Sequence, residues 1–167
     1  YNTEKDLQVC ACQIAQQVGI HLSIILVDNA SRRESLALVR SWLSAWRPDA
    51  VCGTEEDVET WVRQNPERAQ QSGNIYLVQN SINRGYSGGN NIGIRLADTL
   101  KVEAVLIANP DMRIDNPNYI EQLFRHMFDG SFNYVAASRI IGLDGVDQNP
   151  LREASYWEEL FWPRWLV

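Results

Sequence analysis

Cysteine and histidine are scarce in this 167-residue chain, and positive charge is not in excess. Three cysteines cannot all pair with one another. Cys10 and Cys12, two positions apart, would point to different sides of a helix. No metal-type spacing joins them to His21 or His126. They read as free thiols of a reducing compartment. A net charge of −6 argues against a general nucleic-acid binder, which would carry a basic face. No apolar run of about 18 residues occurs, so no transmembrane span is expected. No stretch reads as a secretory leader. Internal repeats and low-complexity segments are also missing. So is a Walker loop, because no glycine-lysine-serine/threonine run is present.

What is there is ordinary for a globular protein: 45% hydrophobic and 22% charged residues, in a chain long enough for one domain with a real core. Thirteen of the 15 basic residues are arginine. That suits phosphate or carboxylate contacts, and genomic base composition explains it equally well.

The periodicity alternates between strand and helix. A helix from Thr3-Glu-Lys-Asp6 carries Leu7, Val9, Cys10, Ile14 and Val18 and ends near Gly19. Ile20 to Val27 reads as a strand buried on both faces. Ser31-Arg-Arg-Glu34 reads as a capping box, opening a helix with Leu36, Leu38, Val39, Trp42, Leu43 and Trp46 on its apolar side and a stop at Pro48. Residues 49 to 73 look like an excursion, with a capped helix start at Thr54-Glu-Glu-Asp57 and a break at Asn65-Pro66. Asn74 to Gln79 is a second strand. A helix from about Gly88 to Leu100 and a third strand from Val102 to Ala108 follow. Asn116-Pro117 opens another helix, closed by Gly130. Asn133 to Ile140 is a fourth strand, and Asp144-Gly145 a turn. Tyr156, Trp157, Phe161, Trp162 and Trp165 crowd the tail. That tail is a packing helix, an acceptor-side lid or a membrane-surface contact.

This alternation means an α/β domain with a mostly parallel sheet. Right-handed crossovers put the carboxyl ends of its strands on one rim, where such sheets bind ligands. Three segments aim there. Asp28-Asn29 follows an apolar strand; Asp28 is either an acceptor for a ribose or base edge, or a turn residue capping the next helix. Asn83-Arg-Gly-Tyr-Ser-Gly-Gly-Asn-Asn-Ile-Gly93 holds four glycines and three asparagines. Its glycines allow close backbone approach, a helix start there would face an anion, and asparagines donate without adding charge. It is either such a cradle or a structural loop, and its spacing is not that of a dinucleotide fingerprint. Val105-Leu-Ile-Ala-Asn-Pro-Asp111 ends an apolar run on a carboxylate, a hard oxygen donor that can hold a divalent cation on a phosphate. Asp115 lies nearer a helix start, as a first-turn acid.

Val27-Asp28-Asn29-Ala30-Ser31, Asn83 to Gly93 and Asn109-Pro110-Asp111, in this order and spacing, resemble family 2 glycosyltransferases of the GT-A fold, in the rhamnosyltransferase-like branch. The resemblance covers Tyr1 to about Gln148, and leaves 149–167 as an aromatic helical tail leading to an acceptor-side segment. It implies a Rossmann-like, mostly parallel sheet flanked by helices. It also implies truncation at both ends, with the family's first strand before Tyr1 and its base, an acidic pair, beyond Val167. The implied reaction moves a sugar, with inversion, from a nucleotide diphosphate-sugar to an acceptor hydroxyl in bacterial surface polysaccharide synthesis. Tyr1, Asn2, Asp28, Asn29, Asn83, Gly85, Gly89, Asn90 and Asn109 would line the donor site, and Asp111 would hold Mg²⁺ or Mn²⁺. Two departures stand out. Gly89-Asn90-Asn91 replaces an Ala-Arg-Asn common in the family, which removes one charged donor contact. The family's Asp-x-Asp position holds a single acid. The acceptor would be a saccharide or a lipid-linked saccharide. The expected location is cytoplasmic, with peripheral contact to the inner membrane left open. Two rival readings stand beside it: a nucleotidyltransferase of similar build, and a non-catalytic nucleotide-sugar-binding domain.

Overall fold

The structure, a computed structural model, describes residues 3–129, 141, 142, 145 and 146. The chain divides into two compact units, 1–124 and 125–167.

The first unit is built on three parallel strands, β1 (Ile24–Asp28), β2 (Val51–Gly53) and β3 (Ile75–Gln79), in the order β1-β3-β2. Side chains alternate across a strand, and β3 is apolar on both sides. Tyr76 and Val78, with Ile25 and Val27 of β1, enter one core. It is closed by α3 (Glu55–Gln64), α4 (Pro66–Ala69) and α5 (Gly85–Thr99). Ile75 and Leu77, with Ile24 and Leu26, enter a second core closed by α1 (Thr3–Ala15) and α2 (Arg33–Trp46). Helices on both faces of a parallel sheet explain why β1 and β3 read as nearly continuous apolar runs. The α/β class and the parallel arrangement are therefore as expected, and β1 and β3 are the two strands read first.

Two strand assignments change. Val51–Gly53 is a strand inside what reads as an excursion; three residues ending in glycine give almost no pattern. Conversely, 102–108 forms no strand. The chain leaves α5 through Lys101, at φ +57, and Val105, Leu106 and Ile107 are 49%, 37% and 49% exposed. An apolar run supplies strand propensity, but a strand also needs a ladder partner, and none is present for this run among the described residues.

The helices show which side chains each face needs. On α1 the buried stripe is Leu7, Cys10, Ala11 and Ile14, spaced i, i+3, i+4, i+7, while Val9 and Val18 lie outside it. On α2, Val39 and Leu43 are buried, Trp42 stacks on Trp46 at 4.9 Å, and Leu38 faces out. No capping box forms at Ser31. The helix starts at Arg33, its N-cap Arg32 makes no side-chain cap, and the Ser31 N–H donates to Asp28 Oδ1. The box at Thr54 does form: the Asp57 N–H donates to Thr54 Oγ1 at 3.2 Å and the Thr54 N–H to Asp57 Oδ2 at 2.9 Å. α3 stops at Asn65, and Pro66 starts α4. α5 begins three residues earlier than read, at Gly85. α6 (Tyr119–Phe128) follows a turn in which the Asn118 N–H donates to Asn116 Oδ1, so Pro117 precedes the helix.

In the second unit, the Gly145 N–H donates to the Gly142 carbonyl at 2.9 Å with Gly145 at φ +78, while Asp144 of the turn read at 144–145 lies outside the described residues. The strand read at 133–140, the end of α6 at Gly130, the aromatic tail 149–167, and Tyr1 and Asn2 lie outside the described residues.

Two outcomes follow from this packing. A Cβ at Gly93 would meet Val27 Cγ2 at 3.5 Å, an ordinary contact. Gly93→Ala should therefore stabilise the fold by about 0.5–1 kcal/mol through helix propensity, and Gly93→Leu should destabilise it by overpacking; urea unfolding measures both. The Thr54 hydroxyl and N–H hold the Asp57 carboxyl below its ordinary value. Its contribution is thus present above the unfolded pKa, near 4, and lost as pH falls through the lower folded one. The stability gap between the parent chain and Asp57→Asn should be open at neutral pH and close on acidification below about pH 4, read by melting temperature across pH.

Candidate functional site

Parallel pairing places Asp28 opposite Gln79 and Gly53 opposite Val78, so three strands end along one rim. The chain leaves β1 in a tight turn. Asp28 Oδ1 accepts from the Ser31 N–H at 3.2 Å, and the Asp28 carbonyl from the Asn80 N–H at 2.9 Å. Ala30 adopts φ +62, a left-handed conformation that costs a residue with a Cβ. Such strain concentrates where a backbone path is fixed by its surroundings.

The chain leaves β3 through Asn80 and turns at Asn83 into α5. The Asn29 side chain sits between the two exits. Its Nδ2 donates to Asn83 Oδ1 at 3.0 Å and to the Gly85 carbonyl at 2.9 Å. Its Oδ1 accepts from Asn80 Nδ2 at 3.4 Å and from the Arg84 N–H at 3.0 Å. Asn83 Oδ1 also accepts from the Gly85 N–H at 2.8 Å. The N-cap Arg84 makes no side-chain cap, so two asparagines from outside the helix take the N–H groups of Arg84 and Gly85. The next two, Tyr86 and Ser87, have no acceptor among the described residues and lie on the surface. A helix start with free N–H groups is favourable for an anion.

The glycines serve this geometry. Gly85 is at φ +70. A Cβ at Gly89 would come to 3.4 Å from Asn29 Nδ2, and one at Gly88 to 2.5 Å from Arg84 Cβ. At Gly89 and Gly93, one turn apart, α5 runs close to Asn29 and to Val27 of β1, near enough that a Cβ would make ordinary contact. Asn90 is half-buried in the second turn, and Asn91 is exposed. Beside the cluster, Arg40 Nη2 donates to Gln79 Oε1 at 2.5 Å, while Gln79 Nε2 is enclosed without a partner among the described residues.

The third segment is held by contacts of its own, mainly with α1. Asn109 to Met112 is a turn closed by the Met112 N–H on the Asn109 carbonyl at 3.1 Å, and the Cys10 thiol of α1 donates to the same carbonyl at 3.6 Å. Gln13 of α1 and Gln17, two residues past its end, fix the chain beyond it: the Ile114 N–H donates to Gln13 Oε1, Gln13 Nε2 to Asp115, Gln17 Nε2 to the Asn116 carbonyl, and the Ile120 N–H to Gln17 Oε1. Arg113 pairs with Asp6. The Asp111 carboxylate is exposed and makes no hydrogen bond or ion pair among the described residues. Nor does any group of three histidines, cysteines or acids there gather around a metal position.

The structure thus joins Asp28, Asn29, Asn83, Gly85 and Gly89 in one cluster, with Asn90 one turn on. No hydrogen bond or ion pair connects that cluster to Asn109 or Asp111 among the described residues. Reading the sequence alone missed Asn80, Ala30 and the N–H groups of Tyr86 and Ser87. An asparagine directly after a buried strand was the available signal for Asn80.

A parallel sheet with ligand-type groups outside its carboxyl ends is the open α/β class. The chain belongs to glycosyl transferase family 2, whose profile residues 1–165 match, and whose fold is GT-A. It is also similar to the low-salt glycan biosynthesis hexosyltransferase Agl10 of Haloferax volcanii, with 30% identity over 142 residues, 83% of this chain and 42% of that protein. The chain therefore spans less than half the length of that relative. No solved structure matches it.

Ala30→Gly tests the strained turn. Removing the Cβ relieves a left-handed penalty of about 1–2 kcal/mol and gives back part of it as unfolded-chain entropy. The melting temperature should rise slightly, whereas Ala30→Val should lower it.

Proposed function

We propose that this chain carries the donor-binding part of an enzyme that transfers a hexosyl group from a nucleotide diphosphate-sugar to a saccharide hydroxyl during glycan assembly. The observation that carries the reading is the rim cluster, in a chain that belongs to family 2: Asp28 beside a helix start whose Tyr86 and Ser87 N–H groups have no acceptor among the described residues. A nucleoside would lie against Asp28, whose second carboxylate oxygen has no partner among the described residues. The diphosphate would face the first turn of α5, where the dipole and free N–H groups favour negative charge. Tyr1, Asn2, Asn90 and Asn109 complete the proposed lining.

Displacement at the anomeric carbon leaves charge on the diphosphate, and groups fixed in advance around that charge lower the barrier. The chain's own share is to hold the diphosphate and orient the sugar. We assign no base to any described residue.

Asp111 suits a divalent cation shared with a substrate. Its carboxylate is exposed and unpaired among the described residues, and Mg²⁺ on a phosphate needs only one or two protein carboxylates. Bound there, Mg²⁺ or Mn²⁺ would neutralise charge on the diphosphate. The saccharide could be free or lipid-linked. No helix among the described residues is long and apolar enough to cross a membrane, and peripheral contact belongs to the proposal only through a lipid-linked acceptor.

The test is a thermal-shift titration with UDP, dTDP, GDP and CDP, each with and without Mn²⁺. A ligand at 100 times its Kd adds about 2.7 kcal/mol of stability. One nucleotide should raise the melting temperature, more so with metal, and Asp111→Ala should remove only the metal-dependent part. No shift with any nucleotide would overturn the donor site; a metal effect that survives in Asp111→Ala would overturn the metal assignment.

A further inference from the structure

We propose that Asn29 is a positioning residue: its carboxamide fixes the first turn of α5 against the end of β1, and it does not itself contact the donor. The proposal rests on the donor-site reading above and gives Asn29 a different role from the lining residue that the sequence suggests.

A carboxamide has two N–H donors and an oxygen with two lone pairs. All four positions of Asn29 are taken inside the protein, by Asn83 Oδ1, the Gly85 carbonyl, Asn80 Nδ2 and the Arg84 N–H. A ligand contact would have to break one of them. The partners lie 51 to 56 residues along the chain from Asn29. They span the whole connection from the end of β3 to the first residue of α5. One side chain therefore sets the path by which the helix begins, and with it the position of the Tyr86 and Ser87 N–H groups. The helix also packs directly on this side chain, since a Cβ at Gly89 would reach Asn29 Nδ2 at 3.4 Å.

The chemistry also supplies a near-isosteric probe. In Asn29→Asp, the oxygen replacing Nδ2 would face two acceptors, Asn83 Oδ1 and the Gly85 carbonyl, and their repulsion would loosen the bonds that the Arg84 and Gly85 N–H groups make to residues 29 and 83. The substitution keeps the size and the turn preference of the residue but sets the loop against the strand end. Its effect should fall on the groups that the helix start presents, and so on phosphate and not on the nucleoside.

The experiment compares the complete protein with Asn29→Asp and with Asn83→Ala. It measures the affinity of each for a nucleoside diphosphate and for the same nucleoside without phosphate. Amide hydrogen exchange of Arg84 and Gly85 is followed in the ligand-free proteins. Asn29→Asp should weaken the diphosphate by about tenfold or more, the scale of one hydrogen bond to a charged group. It should leave the nucleoside within about twofold and speed exchange at Arg84 and Gly85. Asn83→Ala should act in the same direction, and the double variant should lose less than the two single losses combined, because both side chains serve one network. Equal losses for nucleoside and diphosphate, or unchanged exchange, would overturn the positioning role. A parent protein that binds no nucleotide would overturn the donor-site reading and this proposal with it. A parent that binds, with Asn29→Asp binding equally well, would overturn the proposal alone.

Discussion

The parallel ladder between β1 and β3 governs the rest of the first unit. It sets Asp28 level with Gln79, and so brings the turn after one strand beside the loop after the other. A register shift of one residue would turn Ile75 and Leu77 away from their core and Tyr76 and Val78 away from theirs. Both helical layers read that register, since each takes alternate residues of the same two strands. The alignment at the rim is thus enforced by burial some distance away from it.

How much of this was legible depended on how local each signal is. β1 and β3 announce themselves because strands covered on both faces are apolar without interruption. The break at Asn65-Pro66 and the box at Thr54 are local too, and both are where the residues suggest. β2 is too short to leave a pattern. The run 102–108 has the composition of a strand, but pairing is decided by distant chain, which composition does not encode. Ser31 reads as a cap, yet its N–H is engaged by Asp28 three residues earlier, one short-range polar bond competing with another. Asp28 draws attention by its place after a strand, Asn83 by the glycines and asparagines around it, and Asn29 by the family resemblance. That Asn29 bonds to four groups more than 50 residues away could come only from the folded chain.

The first unit also shows how a long connection without regular structure is held. Between α5 and α6, residues 114 to 116, and with them the first turn of α6, are tied to the end of α1 by Gln13 and Gln17, each both donating and accepting. Gln17 is buried, and these bonds satisfy it; a buried amide without partners would cost about 1–3 kcal/mol. Two polar side chains at the end of α1 thus do for this segment what ladder bonds do for a strand. Asp111 owes its place to them and to the Cys10–Asn109 contact.

α5 joins two regions that are usually considered separately. Its buried Ile92 and Leu96 belong to the core under the sheet, and its first turn stands at the rim. Helices are stiff along their axis, and Ile92 lies only about 9 Å from Tyr86 at 1.5 Å per residue. The helix is in effect a lever with one arm in the interior. A change of one methyl group at Ile92 that tilts the rod slightly would be felt at its exposed end. Variation in the hydrophobic interior can therefore retune the rim without altering any residue that lines it.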